Sequence, residues 1–137
     1  MGRRKPKPDS VNCPCGSGHP RERCCGPRID GSAPAETAEA LMRSRYTAYT
    51  EHNEAYILAT WDPQTRPASL ELDPDRRWLG LNVRDTEAGG REDTTGVVEF
   101  VARARLHGQG MRLHERSRFR RIDGHWYYID GDTPDAS

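Results

Sequence analysis

The chain predicts an α+β fold with its helices gathered on one face of an antiparallel sheet. Three observations predict it. Apolar residues recur at helical spacing between residues 36 and 52, two-residue alternation begins near residue 77, and the alternating segments are separated by short glycine-containing turns. Helices followed by a run of strands is the order that places helices on one side of a sheet.

The elements follow in order. Residues 1–10 (MGRRKPKPDS) carry two prolines and four positive charges, and are expected to form a flexible basic tail. Residues 11–28 hold all four cysteines, and residues 32–134 read as an ordinary globular domain. Ser32 can cap a helix and Pro34 suits its first turn, so a helix is expected through ETAEALMRSRYTAYTEH. Ala38, Leu41, Met42, Arg45, Tyr46 and Tyr49 then share one inward stripe. Arg45 is out of character there, because a buried guanidinium must be paired. Asn53 can cap a second helix, Glu54 to Thr60, which stops at Trp61 before Asp62-Pro63. Residues 63–76 are rich in proline and acid and are expected to form a loop with a helical turn.

Four strands are expected next. In RWLGLNVRD, Leu79, Leu81 and Val83 alternate with Trp78, Gly80 and Asn82. In TTGVVEFVARARL, Val98, Phe100, Ala102, Ala104 and Leu106 share a face. In MRLHERSRFRRI, Leu113, Glu115, Ser117 and Phe119 lie opposite His114, Arg116, Arg118 and Arg120, and Met111 is a core candidate. HWYYID follows the turn Asp123-Gly124.

Composition bounds the fold. Leu, Ile, Val and Phe number only nineteen of 137 residues, in the range where disorder becomes a concern. Disorder also needs net charge, and here 21 basic residues balance 21 acidic ones. Seventeen of the nineteen, and all three Trp and five Tyr, fall after Ser32, so the core should be aromatic and half-polar. No apolar run approaches a membrane span and no signal peptide is visible, so a cytoplasmic location is expected. Residues 1–30 carry 7 basic and 3 acidic side chains, residues 31–75 carry 3 and 8, and residues 76–137 carry 11 and 10. A general nucleic-acid footprint would need a more basic body.

Cys13, Cys15, Cys24 and Cys25 form the strongest motif: C-x-C, eight residues, then C-C. Four thiolates within thirteen residues can close around one tetrahedral zinc ion, and Gly16 and Gly18 let the chain fold back over it. With all four positions filled, that zinc is expected to be structural. Disulfides do not suit a chain without a secretion signal, and the spacing is not that of a C-x-x-C redox pair. Arg21 and Arg23 are expected to place positive charge near the thiolates.

The wording CPCGSG…CCG resembles the SEC-C zinc-binding motif found at the C-terminus of the preprotein translocase ATPase SecA, where it recognises a chaperone. LMRSRYTAY (41–49), ATWDP (59–63), WLGLNV (78–83), VVEFVARAR (97–105), HERSRF (114–119) and GHWYYIDG (124–131) together resemble the YchJ family from about Cys13 to Pro134. The resemblance implies a nuclear transport factor 2-like (cystatin-like) cone of curved antiparallel sheet packed by N-terminal helices, preceded by the zinc knuckle. It leaves the activity open. Some relatives carry a second SEC-C motif at the C-terminus, which this chain is expected to lack. Where relatives commonly have His after Thr-Trp, this chain has Asp62, which puts a catalytic histidine there in doubt.

Such a cone encloses a cavity. The residues that can line it here are Arg45, Tyr46, Tyr49, Trp61, Phe100, Glu115, Ser117, Phe119 and Tyr128. Glu115 shares its face with Leu113 and Phe119, and burial there would suit its carboxyl to acid or base work. The favoured expectation is a salt bridge from Glu115 to Arg43 or Arg45, which still leaves Arg45 able to anchor an anion. His114 is expected at the solvated surface.

Three functional classes follow, and none assigns a catalytic residue. In the first, preferred on sequence, the knuckle contacts a partner protein or nucleic acid and the cone is a scaffold that folds without the metal. In the second, the cavity with Glu115 and Arg45 binds or turns over a small molecule. In the third, the basic tail and knuckle associate with RNA or the ribosome.

Overall fold

The structure, a computed structural model, describes residues 12–134. The basic tail expected at 1–10 lies outside the described residues. The elements are a 3-10 turn at Arg21–Arg23, helices α1 (Cys25–Asp30), α2 (Ala38–Thr50) and α3 (Glu54–Ala59), then strands β1 (Arg77–Ala88), β2 (Thr95–Leu106), β3 (Gln109–Ile122) and β4 (His125–Asp132). The strands form one antiparallel meander in the order β1-β2-β3-β4. α2 lies on its inner face.

Two of the hairpins turn in two residues. Leu106 pairs with Gln109 and Ile122 with His125, and both central residues of each turn have positive φ: His107 and Gly108, Asp123 and Gly124. That is the geometry whose twist matches paired strands. Register shifts at Trp78/Gly80, Val83/Asp85 and Arg118/Phe119 bend the sheet around α2.

Several sequence expectations are corrected. α2 starts at Ala38, not near Ser32: the Thr37 hydroxyl accepts from the Ala40 N–H at 3.0 Å and is the cap. Residues before it stay extended because tertiary bonds hold them. The Ala38 N–H donates to the Gly89 carbonyl, and the Trp126 indole N–H donates to the Glu36 carbonyl. Ser32 instead follows α1, which ends at Gly31 in the left-handed region. The alternation proposed for the first strand breaks at its bulge: Leu79 is 57% exposed, while Trp78, Leu81 and Val83 pack on the core. Met111, on the outer part of β3, is exposed.

Asn53 caps α3 as expected, its side chain accepting from the Tyr56 N–H. The chain leaving α3 then pairs with β4. The Tyr128 N–H donates to the Thr60 carbonyl at 2.9 Å, and the Asp62 N–H donates to the Tyr128 carbonyl at 2.7 Å. The core joins Leu41, Met42 and Tyr46 of α2 to Val98, Phe100, Ala102, Phe119 and Trp126 of the sheet, and it includes all four cysteines. No helix among the described residues is long and apolar enough to cross a membrane.

Candidate functional site

The cysteine centre is built from two turns. Asn12 bridges Pro20, and the Cys13 N–H donates to the His19 carbonyl at 2.8 Å, so the chain doubles back on itself. Gly16 (φ 82°) and Gly18 (φ 89°) make that possible, and a Cβ at Gly16 would press to 3.3 Å on the Leu81 carbonyl oxygen. Cys13 and Cys15 are thereby brought onto Cys24 and Cys25 at the start of α1. The four sulfurs lie within 4.8 Å of one another, and none is in a disulfide. Sγ of Cys24 is 3.6 Å from Cys15 and 3.9 Å from Cys25. A tetrahedral ion with metal–sulfur bonds of about 2.3 Å sets sulfur–sulfur edges of about 3.8 Å. The donor set therefore fits one thiolate-bound metal ion.

The electrostatics agree. Hydrogen bonds from the Cys15 and Cys25 thiols hold Cys13 far below the ordinary thiol range, and the same contacts push Cys25 far above it. Cys15 is pushed up chiefly by Cys13. One ionised sulfur suppresses ionisation of its neighbours, and a divalent ion removes that conflict. Arg21 does place positive charge within reach of Cys13 and Cys25, as expected, while it pairs with Glu51 through two bonds of 2.5 and 2.8 Å; Arg28, not anticipated from sequence, lies 3.9 Å from the Cys24 sulfur. Ser17 Oγ lies 3.1 Å from the Cys24 sulfur.

α2 carries the centre on one side. Thr47 Oγ1 is 3.5 Å from the Cys13 sulfur, and Arg43 donates to the Cys15 carbonyl at 2.6 Å. The cysteines are buried in the same core as Leu41, Met42 and Tyr46. The knuckle is thus packed into the same core as the cone.

On its other side α2 lines a cavity of about 280 Å³. All nine cavity candidates from the sequence line it: Arg45, Tyr46 and Tyr49 from α2, Trp61 after α3, Phe100 from β2, Glu115, Ser117 and Phe119 from β3, and Tyr128 from β4. Sequence reasoning missed Trp78 and Arg76, which also line it. Strict alternation puts Trp78 on the face opposite Leu79, Leu81 and Val83, and the bulge between Trp78 and Gly80 that changes this is invisible to a two-residue period. Tyr46 and Tyr49 meet Trp78 edge-on, at ring centroid distances of 5.8 and 6.0 Å. Burial pushes the Tyr46 phenol up to about 12 and raises Tyr49 as well.

The polar groups of this cavity are unusually arranged. Arg45 is only 6% exposed, yet no carboxylate among the described residues forms an ion pair with it. Its NH1 donates to the Ile57 carbonyl (2.8 Å) and the Thr60 hydroxyl (2.7 Å). Its guanidinium carbon lies 4.6 Å from the Tyr128 ring centroid and 5.2 Å from that of Trp61. Burial lowers its pKa, opposed by Tyr49, Tyr128, Tyr56 and Glu115. Trp61 Nε1 and Arg76 Nε are buried N–H donors without a partner. Each such donor costs about 1–3 kcal/mol.

The expected salt bridge of Glu115 to Arg43 or Arg45 does not form. Arg43 is engaged by Glu39 and the Cys15 carbonyl, and Arg45 by α3 and the two rings. Glu115 Oε2 instead accepts from the Ser117 hydroxyl (2.8 Å) and the Tyr128 phenol (2.7 Å). Gly131 makes room for it, since a Cβ there would overlap the Glu115 side chain. Burial and the adjacent Glu115 carboxylate push the Tyr128 phenol far above its ordinary range, so it remains a donor.

Asp62, at the position where the resemblance raised the question of a histidine, is a buried structural acid. It pairs with Arg120 at 2.5 and 3.1 Å and accepts from the Gln64 N–H. Burial pushes its carboxyl up, but these bonds and the charges of Arg120 and Arg66 outweigh it and hold the carboxyl below its ordinary value. His114 is half-buried on the outer sheet face, 2.7 Å from Glu99, and is not simply solvated.

Comparison with known proteins follows this architecture. The sequence profile for "YchJ, middle NTF2-like domain" matches residues 37–131. A UPF0225 protein of Streptomyces coelicolor is 53% identical over 123 residues, covering 90% of this chain and 96% of that protein. One from Chromobacterium violaceum is 54% identical over 123 residues, covering 87% and 90%. Among solved structures, a SEC-C motif containing protein from Rhodopseudomonas palustris superposes with a TM-score of 0.79 at 38% identity, covering 90% of this chain and 98% of that one. A SEC-C motif containing protein from Psychrobacter arcticus gives 0.73 at 27% identity, covering 94% and 85%. The chain has a four-cysteine cluster ahead of an NTF2-like α+β cone, and it belongs to the YchJ (UPF0225) family.

Proposed function

We propose that this protein is a small-molecule binder whose cone cavity is the binding site and whose four cysteines hold a structural zinc ion. The observation that carries the reading is Arg45: a guanidinium almost wholly buried in an aromatic cavity, with no carboxylate paired to it. A folded protein rarely keeps a buried cation without a carboxylate paired to it unless that cation has a use. Zinc suits four thiolates at tetrahedral spacing with no open position, so it serves structure and not catalysis. α2 connects the two sites, because Arg43 and Thr47 touch the knuckle while Arg45, Tyr46 and Tyr49 face the cavity.

The test is native mass spectrometry of the zinc-loaded protein after incubation with a small-molecule extract of its own cells, beside an Ala102→Phe variant. Ala102 is buried in the cavity wall, so the larger ring fills the space. A bound mass in the wild type that the filled variant loses supports the reading. Equal adducts in both, or none in either, contradict it.

A second reading keeps the knuckle as a contact module, favoured by its exposed rim at Pro14, Gly18, His19 and Arg23. It expects Arg23→Glu to abolish partner capture while zinc content and fold are unchanged. Capture that survives this substitution would remove it.

A further inference from the structure

Resting on the cavity as the binding site, we infer that its ligand is a small monocarboxylate with one planar six-membered ring and a hydrogen-bond donor at the end opposite the acid. The argument begins with what the cavity leaves unbonded. Nε and NH2 of Arg45 form no hydrogen bond among the described residues, while its NH1 is satisfied by the Ile57 carbonyl and the Thr60 hydroxyl. These groups only donate. A buried cation with unbonded N–H groups at a cavity wall calls for an acceptor-rich anion. The Tyr128 and Trp61 rings, themselves in edge-on contact, lie on one side of the Arg45 guanidinium, and its unbonded Nε and NH2 form a planar fork that matches a carboxylate.

Glu115 sets the opposite end. Both its protein donors, Ser117 and Tyr128, bond Oε2, which leaves Oε1 as an acceptor for a ligand hydroxyl or N–H. It also selects against a dianion, because a second negative charge would meet a carboxylate. Tyr128 gives the length. Its ring lies under Arg45 and its hydroxyl bonds Glu115, so one tyrosine side chain spans the two polar ends. A ligand reaching both must be of similar length, which is one ring with polar groups at opposite positions. The aromatic walls, Tyr46, Trp78 and Phe100 among them, suit a flat apolar body.

The experiment is a ¹H–¹⁵N NMR titration of the full-length zinc-loaded protein with 4-hydroxybenzoate, read at the indole N–H of Trp61. Three further probes each alter one end: 4-hydroxybenzamide removes the charge, 4-methylbenzoate removes the donor, and 4-hydroxyphenyl phosphate replaces the planar monoanion by a tetrahedral dianion. 4-Hydroxybenzoate is expected to bind at least tenfold more tightly than each of the other three, with the Trp61 and Trp78 indole signals shifting as the ring enters between them. Arg45→Gln also alters the bonds that Arg45 makes to the Ile57 carbonyl and the Thr60 hydroxyl, so two other variants carry the test. Arg76→Gln is expected to weaken the acid severalfold and leave the amide unchanged. Gly131→Ala, which displaces Glu115, is expected to abolish the preference for the hydroxyl over the methyl probe while acid recognition persists. If the amide or the phosphate binds in the cavity as tightly as the acid, the ligand class is wrong and the cavity reading stands. If no probe perturbs Trp61 or Trp78 at millimolar concentration, both fail.

Discussion

Single residues show where sequence reasoning reaches its limit. Arg45 was legible as an anomaly, because a cation on an apolar helical stripe needs a partner. The partner expected, Glu115, was not the one found, because pairing depends on which neighbours compete. Thr60 and the Ile57 carbonyl bond Arg45, while Ser117 and Tyr128 bond Glu115. Gly131 gives no hint in sequence that it exists to admit a carboxylate three residues from the end of the described chain. Asp62 permits a sharper statement. Its carboxyl is held below its ordinary value in the folded state, so its pairing stabilises the protein above the unfolded value of about 4 and is lost as pH falls below it. Asp62→Asn should therefore lower thermal stability at neutral pH and flatten the acid limb of the stability curve below about pH 4. Removing the partner instead, in Arg120→Ala, leaves a buried carboxylate and should cost roughly 1.5–3 kcal/mol by urea unfolding. If the Asp62→Asn protein keeps the wild-type acid limb, the pair does not act in this way.

The secondary-structure elements were legible wherever local chemistry decides them. Asn53, the turn Asp123-Gly124, the inward face of β2 and the Ser117/Phe119 end of β3 all act within a few residues, and the structure matches them, whereas Met111 and Leu113 at the other end of β3 are exposed. The errors occur where tertiary bonds decide. Thr37 and not Ser32 caps α2, because Ala33 is tied back to α1 and the chain entering α2 is held at Glu36 by Trp126 and at Ala38 by Gly89. The β1 bulge turns Leu79 outward and Trp78 inward, a shift of register that no two-residue period contains. Thr37→Ala should thus cost about 1 kcal/mol, whereas Ser32→Ala should cost little. A close approach gives another contrast. Gly89 and Gly108 share a φ of 81°, but a Cβ at Gly89 would lie 2.8 Å from the Ala38 Cβ, while one at Gly108 meets nothing. Alanine at Gly108 should cost about 1–2 kcal/mol from backbone strain alone. Alanine at Gly89 should cost clearly more, because the packing of β1 on α2 must also give way; equal losses by calorimetry would show that the contact relaxes freely.

At the scale of the whole molecule, the scarcity of aliphatic side chains was the first warning in the sequence, and the structure shows how it is met. Aromatic rings fill the cone but leave a cavity, and four cysteines replace part of the apolar core at the end where α1 packs on α2. The composition suggested both features. It could not show that they share a helix, since that depends on the angle at which the knuckle docks. The central claim is that the metal centre and the cavity are one structural unit joined by α2. The direct measurement is thermal unfolding followed by near-ultraviolet circular dichroism, which reports the packing of Tyr46, Tyr49 and Trp78 and of Trp61 and Tyr128, with and without a zinc chelator. Chelation is predicted to abolish most of the aromatic signal at room temperature and to lower or remove the single unfolding transition. An unchanged aromatic spectrum, with the cone melting at the same temperature once the metal is gone, would contradict the account.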